Sequence, residues 1–171
     1  MLRNVLLFGD EILRRKAAEI SAITPEVRRL AADMLETMYY HDGLGLAAPQ
    51  VGVPLRLFVM DVPREGHDKL VCINPVVGER GPMRRMDEGC LSFPGVTGTV
   101  ARAAEVTIEF TDLSGARRSR KVAGVTAQAV QHELDHLDGV LFVDRLSVAR
   151  KAVLAAKLRA VRQRGRRGEH R

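Results

Sequence analysis

Two histidines four positions apart, His132 and His136, bracket an acidic residue in the run Gln131-His132-Glu133-Leu134-Asp135-His136. On a helix, residues i and i+4 share one face at about 6 Å, close enough for both imidazoles to hold one ion. Glu133 sits one position along, so its carboxylate can reach a water beside that ion without entering the coordination shell. This is the equipment of metal-assisted hydrolysis. The bland alternative is a solvated helix that happens to carry two histidines. It fits poorly, because the chain holds only five histidines and this helix reads as buried.

A catalytic ion wants three protein ligands and one open position. Downstream, Asp138 and Asp144 are the nearby candidates for the third. Upstream lies Glu88-Gly89-Cys90-Leu91-Ser92-Phe93-Pro94-Gly95, where a lone thiol follows a glycine in a segment fenced by Gly and Pro. Such a loop or strand end can approach an ion, although a single cysteine is more often a small buried hydrophobe. That plain reading suits Cys72, whose neighbours Val71 and Ile73 belong to an apolar run. A third segment, Gly43-Leu44-Gly45-Leu46-Ala47-Ala48-Pro49-Gln50-Val51-Gly52, is too poor in bulk to fill a core, so its backbone passes close to something. It lacks the Lys-Ser/Thr of a phosphate loop and the full dinucleotide spacing. Gln50 closes it with an amide able to donate to a developing oxyanion.

The elements that must position these groups follow from periodicity. Thr24-Pro25 opens a helix, with Val27, Leu30, Ala31, Met34, Leu35 and Met38 at helical spacing and Gly43 as its end. Leu55–Val62 and Leu70–Val77 read as largely buried strands, the second closed by Asn74-Pro75. Residues 104–111 alternate as a half-buried strand, and the turn Asp112–Gly115 leads to a basic strand at Arg117–Val122. A second helix spans Val125–Leu137. A third starts after Ser147 with Val153, Leu154, Leu158 and Val161 on one face. Strands in the middle and helices at the ends predict an α+β fold.

At 171 residues the chain suits one compact domain with an aliphatic core, since Trp is absent and only 4% of residues are aromatic. No apolar run reaches membrane-span length, no signal-peptide core opens the sequence, and the two cysteines form no disulfide framework; a reducing cytoplasm is expected. The net charge of +6 is unevenly placed. Residues 150–171 hold nine Lys/Arg and one acid, a net +8, while the other 149 residues carry 18 basic and 20 acidic side chains. We therefore divide the chain into a catalytic region, 1–149, and a basic C-terminal helix and tail, 150–171, extending the same domain. Such a tail fits either a polyanion contact or a solvated helix.

Taken together, G-L-G-L-A-A-P-Q, E-G-C-L-S-F-P-G and Q-H-E-L-D-H resemble the three signature motifs of the peptide deformylase family, in the right order. The resemblance runs from Gly9-Asp10 through Asn74-Pro75 to Leu141-Phe142. It implies antiparallel or mixed β-strands around a central metal-binding helix, with helices at both ends. It implies Cys90, His132 and His136 as ligands of one divalent ion, Fe(II) in the cell, with Zn, Ni or Co able to substitute. Glu133 becomes the base that takes a proton from water and hands it to the departing amine. Gln50 and the Leu91 N–H stabilise the oxyanion, and Gly45 joins them in the catalytic group. The methionine pocket falls to Leu44, Met86, Glu88, Val125, Gln128, Ala129 and His132. The substrate implied is the formyl-methionyl end of a nascent polypeptide, and the products are formate and a free methionyl N-terminus.

The chain departs from similar enzymes in two places. Gln128 stands where they usually have an apolar residue, and Gly95, Val96 and Thr97 replace charged residues that in some bacterial members touch the substrate backbone. The resemblance also implies a ribosome contact, since a C-terminal helix docks some bacterial members near the polypeptide exit. From its charge and short apolar stripe, this helix is expected to be anchored by its first turns and to project Arg162, Arg164, Arg166 and Arg167 into solvent. A zinc endopeptidase would need a downstream third ligand, and the intact Cys90 motif argues against it. An RNA-binding module with a dead site is opposed by the intact ligands and base, and by the lack of interleaved aromatics.

Overall fold

The computed structural model describes residues 1–62 and 69–171. Helix α1 spans Pro25–Tyr40, with the Thr24 side chain accepting from the Val27 N–H as its cap. After it come strands β1 (Gly45–Ala47), β2 (Leu57–Met60), β3 (Leu70–Arg80), β4 (Met83–Gly89), β5 (Thr97–Ala103), β6 (Glu105–Thr111) and β7 (Arg117–Ala123). Helix α2 (Gly124–Leu137) follows β7 directly, and α3 (Val148–Arg166) closes the order, capped by Ser147. One sheet has the order β1-β2-β3-β6-β7, and β4 pairs with β5 in a second; every pairing among the named strands is antiparallel. The expected α+β arrangement is what is found. None of the described helices is long and apolar enough to cross a membrane.

The large sheet lies between two helices, and the period-2 alternation of β2 shows how. Leu57 and Val59 join the core made with Val27, Leu30, Met34 and Met38 of α1. Phe58 and Met60 join the core made with Ala127, Val130 and Leu137 of α2. Cys72 is fully buried in that second core, and burial pushes its thiol well above the usual range. A third cluster gathers Leu7, Phe93, Phe142, Leu146, Leu154 and Val161, joining the turn after β4 to α3.

Three local features differ from, or add to, what the residues predicted. Strand β3 does not stop at Asn74-Pro75 but runs on to Arg80, with a register shift between Ile73 and Val76. Asn74 adopts a left-handed backbone (φ 47°), which Asn tolerates, and its amide bonds both the N–H and the carbonyl of Ile20 at 2.9 and 2.8 Å. The irregularity also accommodates a proline, which has no N–H for the ladder. Second, the β4–β5 pair has no counterpart in the sequence pattern, because β4 is mostly exposed and carries little apolar alternation. Third, α3 is anchored not only through its early turns, where Leu154 is buried, but also at its far end. Val153 is 74% exposed, while Leu154, Val161 and Gly165 are buried. A Cβ at Gly165 would lie 2.5 Å from the Leu7 and Phe8 carbonyl oxygens, so only glycine lets the helix end press on that segment. The four arginines are exposed, yet Arg162 lies over the Phe8 ring and Arg164 pairs with Glu169 at 2.8 Å.

Candidate metal centre

α2 presents His132 and His136 one turn apart, with ring centroids separated by 4.9 Å. Cys90 follows the last residue of β4 and opens the turn that leads to β5, which brings its sulfur within 3.3 Å of His136 Nε2. One ligand atom from each of Cys90, His132 and His136 lies within 4.8 Å of the other two. Among the described residues no other group of this kind occurs. Asp138 and Asp144, the rival third ligands, are elsewhere engaged: Asp138 bonds Arg56 at 2.7 Å, and Asp144 pairs with Arg14.

The donor set fits a divalent ion. His132 Nδ1 lies 2.9 Å from Glu88 Oε2. With that N–H donated to the carboxylate, Nε2 keeps its lone pair free as a ligand, the arrangement that orients metal-binding imidazoles. Burial disfavours a charged His132 ring, but Cys90 and Glu88 draw its pKa well above the usual range, so the pocket favours positive charge at this point. Burial, reinforced by His132 and Arg102, holds His136 well below the usual range and keeps it neutral, as a ligand must be.

Behind His132 runs a chain of charges. Arg102 donates from Nε and Nη2 to the two Glu88 oxygens at 2.7 and 3.0 Å, and from Nη1 to Asp135 Oδ2 at 2.6 Å. Asp135 is also held by Arg145, which reaches the surface. The Glu88 and Arg102 side chains are each only 3% exposed. Burial alone would raise the Glu88 carboxyl, but hydrogen bonds from His132 and Arg102 bring it down to about 2. An ionised, doubly bonded carboxylate therefore fixes the ring of His132.

Glu133 is placed differently. It is buried, its Oε2 has no hydrogen-bond partner among the described residues, and burial raises its pKa to about 7. Gly45 on β1 lies against it: a Cβ there would sit 2.5 Å from Glu133 Oε1. The sparse Gly43–Gly52 segment thus leaves room for a carboxylate, and this is the close approach its glycines announced.

Gln50 is anchored through its carbonyl oxygen, which accepts from the Ala47 N–H at 2.8 Å. Its amino group faces the centre, donating to Ser92 Oγ at 3.2 Å and toward Cys90 Sγ at 3.5 Å. The second contact is of ordinary length for a sulfur acceptor, so the amide is held directly beside the Cys90 sulfur. The Leu91 N–H makes no hydrogen bond among the described residues, and it stands next to Cys90.

A cavity of about 560 Å³ opens over these groups. Leu44, Val125, Gln128 and Ala129 form part of its wall, as do Gln50, Leu91, His132 and Glu133. Glu88 borders it, but its carboxylate is committed to His132 and Arg102. Met86 does not line it; it lies two residues before Glu88 on β4, paired with Val100. The Gln128 amide is satisfied by the Asp87 carbonyl at 2.8 Å, which makes it a fixed polar wall.

Sequence reasoning missed the Arg102–Asp135–Arg145 relay, Ser92, and the presence of His41 and Arg171 at the cavity. One signal was available. Gly98, Val100 and Arg102 share the buried face of β5, so an arginine occupies an inward position and requires a carboxylate partner. The approach of Arg171 had no local signal, because it comes from pairing between distant segments.

Comparison with known proteins agrees with this geometry. A family model described as "Polypeptide deformylase" matches residues 2–152. The chain is 43% identical over 169 residues to a peptide deformylase of Rhodopseudomonas palustris, covering 96% of this chain and 97% of that protein. Among solved structures, the peptide deformylase of Thermus thermophilus superposes with a TM-score of 0.90 at 39% identity, covering 96% of this chain and all (100%) of that one. That of Legionella pneumophila gives 0.89 at 37% identity, covering 95% and 96%.

Proposed function

The chain belongs to the polypeptide deformylase family, and from that premise we propose how its residues remove the formyl group from N-terminal formyl-methionine. Cys90, His132 and His136 hold one divalent ion, Fe(II) in the cell, with Zn, Ni or Co as substitutes. One thiolate and two imidazoles suit all of these metals, and the observation that carries the reading is the convergence of their ligand atoms within 4.8 Å. When bound, the ion supplies Lewis acidity, making water acidic enough to ionise near neutral pH and polarising the formyl oxygen.

Everything else is done by the chain. Glu133 accepts the proton of the attacking water, a task suited to a buried carboxylate titrating at about 7. As the tetrahedral centre forms, the Gln50 amide, exchanging its contact with the Cys90 sulfur, and the Leu91 N–H donate to the oxyanion. Glu133 then passes its proton to the departing methionyl amine, and formate leaves. Leu44, Val125 and Ala129 enclose the methionine side chain, with Gln128 as a polar boundary. Glu88, through Arg102, keeps His132 in its ligating orientation.

The test is formate release from a short formyl-methionyl peptide by protein purified without oxygen. Formate should appear in step with new amine, stop on removal of the ion with a chelator, and return with anaerobic Fe(II). Persistence of full turnover after complete removal would overturn the reading.

We further propose a cytoplasmic enzyme that meets its substrate at the ribosome, supported by the net +8 of residues 150–171 and the exposed arginines of α3. Because Val161 and Gly165 pack on the body, truncation would damage the fold, so the sound variant is Arg166→Gln with Arg167→Gln. Ribosome affinity should fall, and the deficit should shrink as salt rises. Equal affinity at low salt would dismiss the contact.

A further inference from the structure

Residues beyond α3 do not trail into solvent. Arg171 pairs antiparallel with Val5, its N–H donating to the Val5 carbonyl at 3.0 Å and its carbonyl accepting from the Val5 N–H at 3.2 Å. Leu6 and His170 form the adjoining bridge. This pairing brings Arg171 to the wall of the cavity that holds the candidate metal centre, beside His41 and Asp42.

Several observations bear on what Arg171 does there. It forms no ion pair among the described residues, whereas Arg102, Arg145, Arg14 and Arg56 each have a carboxylate. The lining segment Pro94-Gly95-Val96-Thr97 carries no charge. The cleft's own acids are otherwise placed: Glu88 is bound to Arg102, Glu133 is interior, and Asp87 accepts from the Thr99 hydroxyl at 2.6 Å. Asp42 is the remaining acid, and His41 reports the balance around it. Its pKa is lowered first by burial and then by Arg171, while Asp42 opposes with the smaller effect. Arg171 is the one Arg or Lys among the described residues that line this cavity. A cavity of about 560 Å³ lies within the range of about 300–1,000 Å³ that holds drug-sized ligands, so residues beyond the methionine share it.

We infer that Arg171 is a specificity-determining residue, reading the first residues after methionine and favouring formyl-methionyl peptides that carry a carboxylate there. This rests on the function proposed above. An exposed guanidinium without a side-chain carboxylate, at the cavity wall, gains a charge-assisted hydrogen bond when such a substrate docks. A cationic substrate residue at that point meets like charge.

The experiment compares formyl-Met-Glu-Glu, formyl-Met-Gln-Gln and formyl-Met-Lys-Lys amides at low and high salt. In the unaltered protein kcat/KM should fall in that order, with the Glu peptide ahead of the Gln peptide by about two- to fivefold, mostly through KM. The ratio should shrink at high salt. Arg171→Gln should bring the Glu and Gln peptides level, Arg171→Glu should invert the order, and Arg171→Lys should restore part of the preference. A merely structural role would lower all three substrates alike in every variant and leave their ratios unchanged, and that result overturns the inference. So does a preference for the Lys peptide in the unaltered protein. Turnover of the Gln peptide by the unaltered protein reports on the deformylase reading separately, so the two can fail independently.

Discussion

Glu133→Ala should lower kcat on a formyl-methionyl peptide by roughly 10²–10⁴-fold, the usual worth of a positioned acid–base group, while the protein still binds its ion. The reason lies in where the carboxylate is. It is buried, its Oε2 has no partner among the described residues, and its pKa is raised to about 7. A group so placed moves protons and does little to hold the fold. Removing it takes away a poorly solvated charge without orphaning any other, so thermal stability should be maintained or improved. KM should change little, because the methionine wall is formed by other residues. A companion variant reaches the same carboxylate from outside. Gly45→Ala places a methyl group 2.5 Å from where Glu133 Oε1 now lies. Displacing the base by an ångström costs about 10²-fold, again without loss of the ion. The outcome that contradicts this division of roles is an ion-free Glu133→Ala protein, for then Glu133 would be a ligand.

Much of this was legible in the residues. The H-E-x-x-H spacing is meaningful only on a helix, and α2 forms where apolar periodicity and the glycine ahead of Val125 place it. The caps at Thr24 and Ser147 acted as expected because each is a short side chain that satisfies an orphan N–H of the first turn. The sparse Gly43–Gly52 run could be read as a close approach, but not as the seat of Glu133, since the partner lies on a distant helix. The Arg102 relay was illegible for a related reason. Its members come from β4, β5, α2 and the turn before α3, and no local pattern joins them. The basic tail misled most. Charge marks solvent exposure, and the arginines are indeed exposed, but α3 is held by Leu154 and Val161, which its apolar face announced, and by Gly165, whose role is visible only against Leu7 and Phe8.

The central claim is that one thiolate and two imidazoles, drawn from two distant segments, hold the ion on which deformylation depends. The metal-to-chain ratio of Cys90→Ala, measured beside its formate release, tests it most directly. The sulfur is one of three donors and lies 3.3 Å from His136 Nε2. Two imidazoles on one helical turn are left without the anionic ligand that balances a divalent charge, so both the ion and turnover should be lost. Cys72→Ala supplies the control: that thiol is fully buried in the core under α2, and its removal should spare both metal and formate release. The expected result is therefore an ion-free, inactive Cys90→Ala protein beside a metal-loaded, active Cys72→Ala protein. The contradicting result is a Cys90→Ala protein that keeps close to one ion per chain and near-native turnover. Asp138 or Asp144 would then have to leave its arginine to become the third ligand.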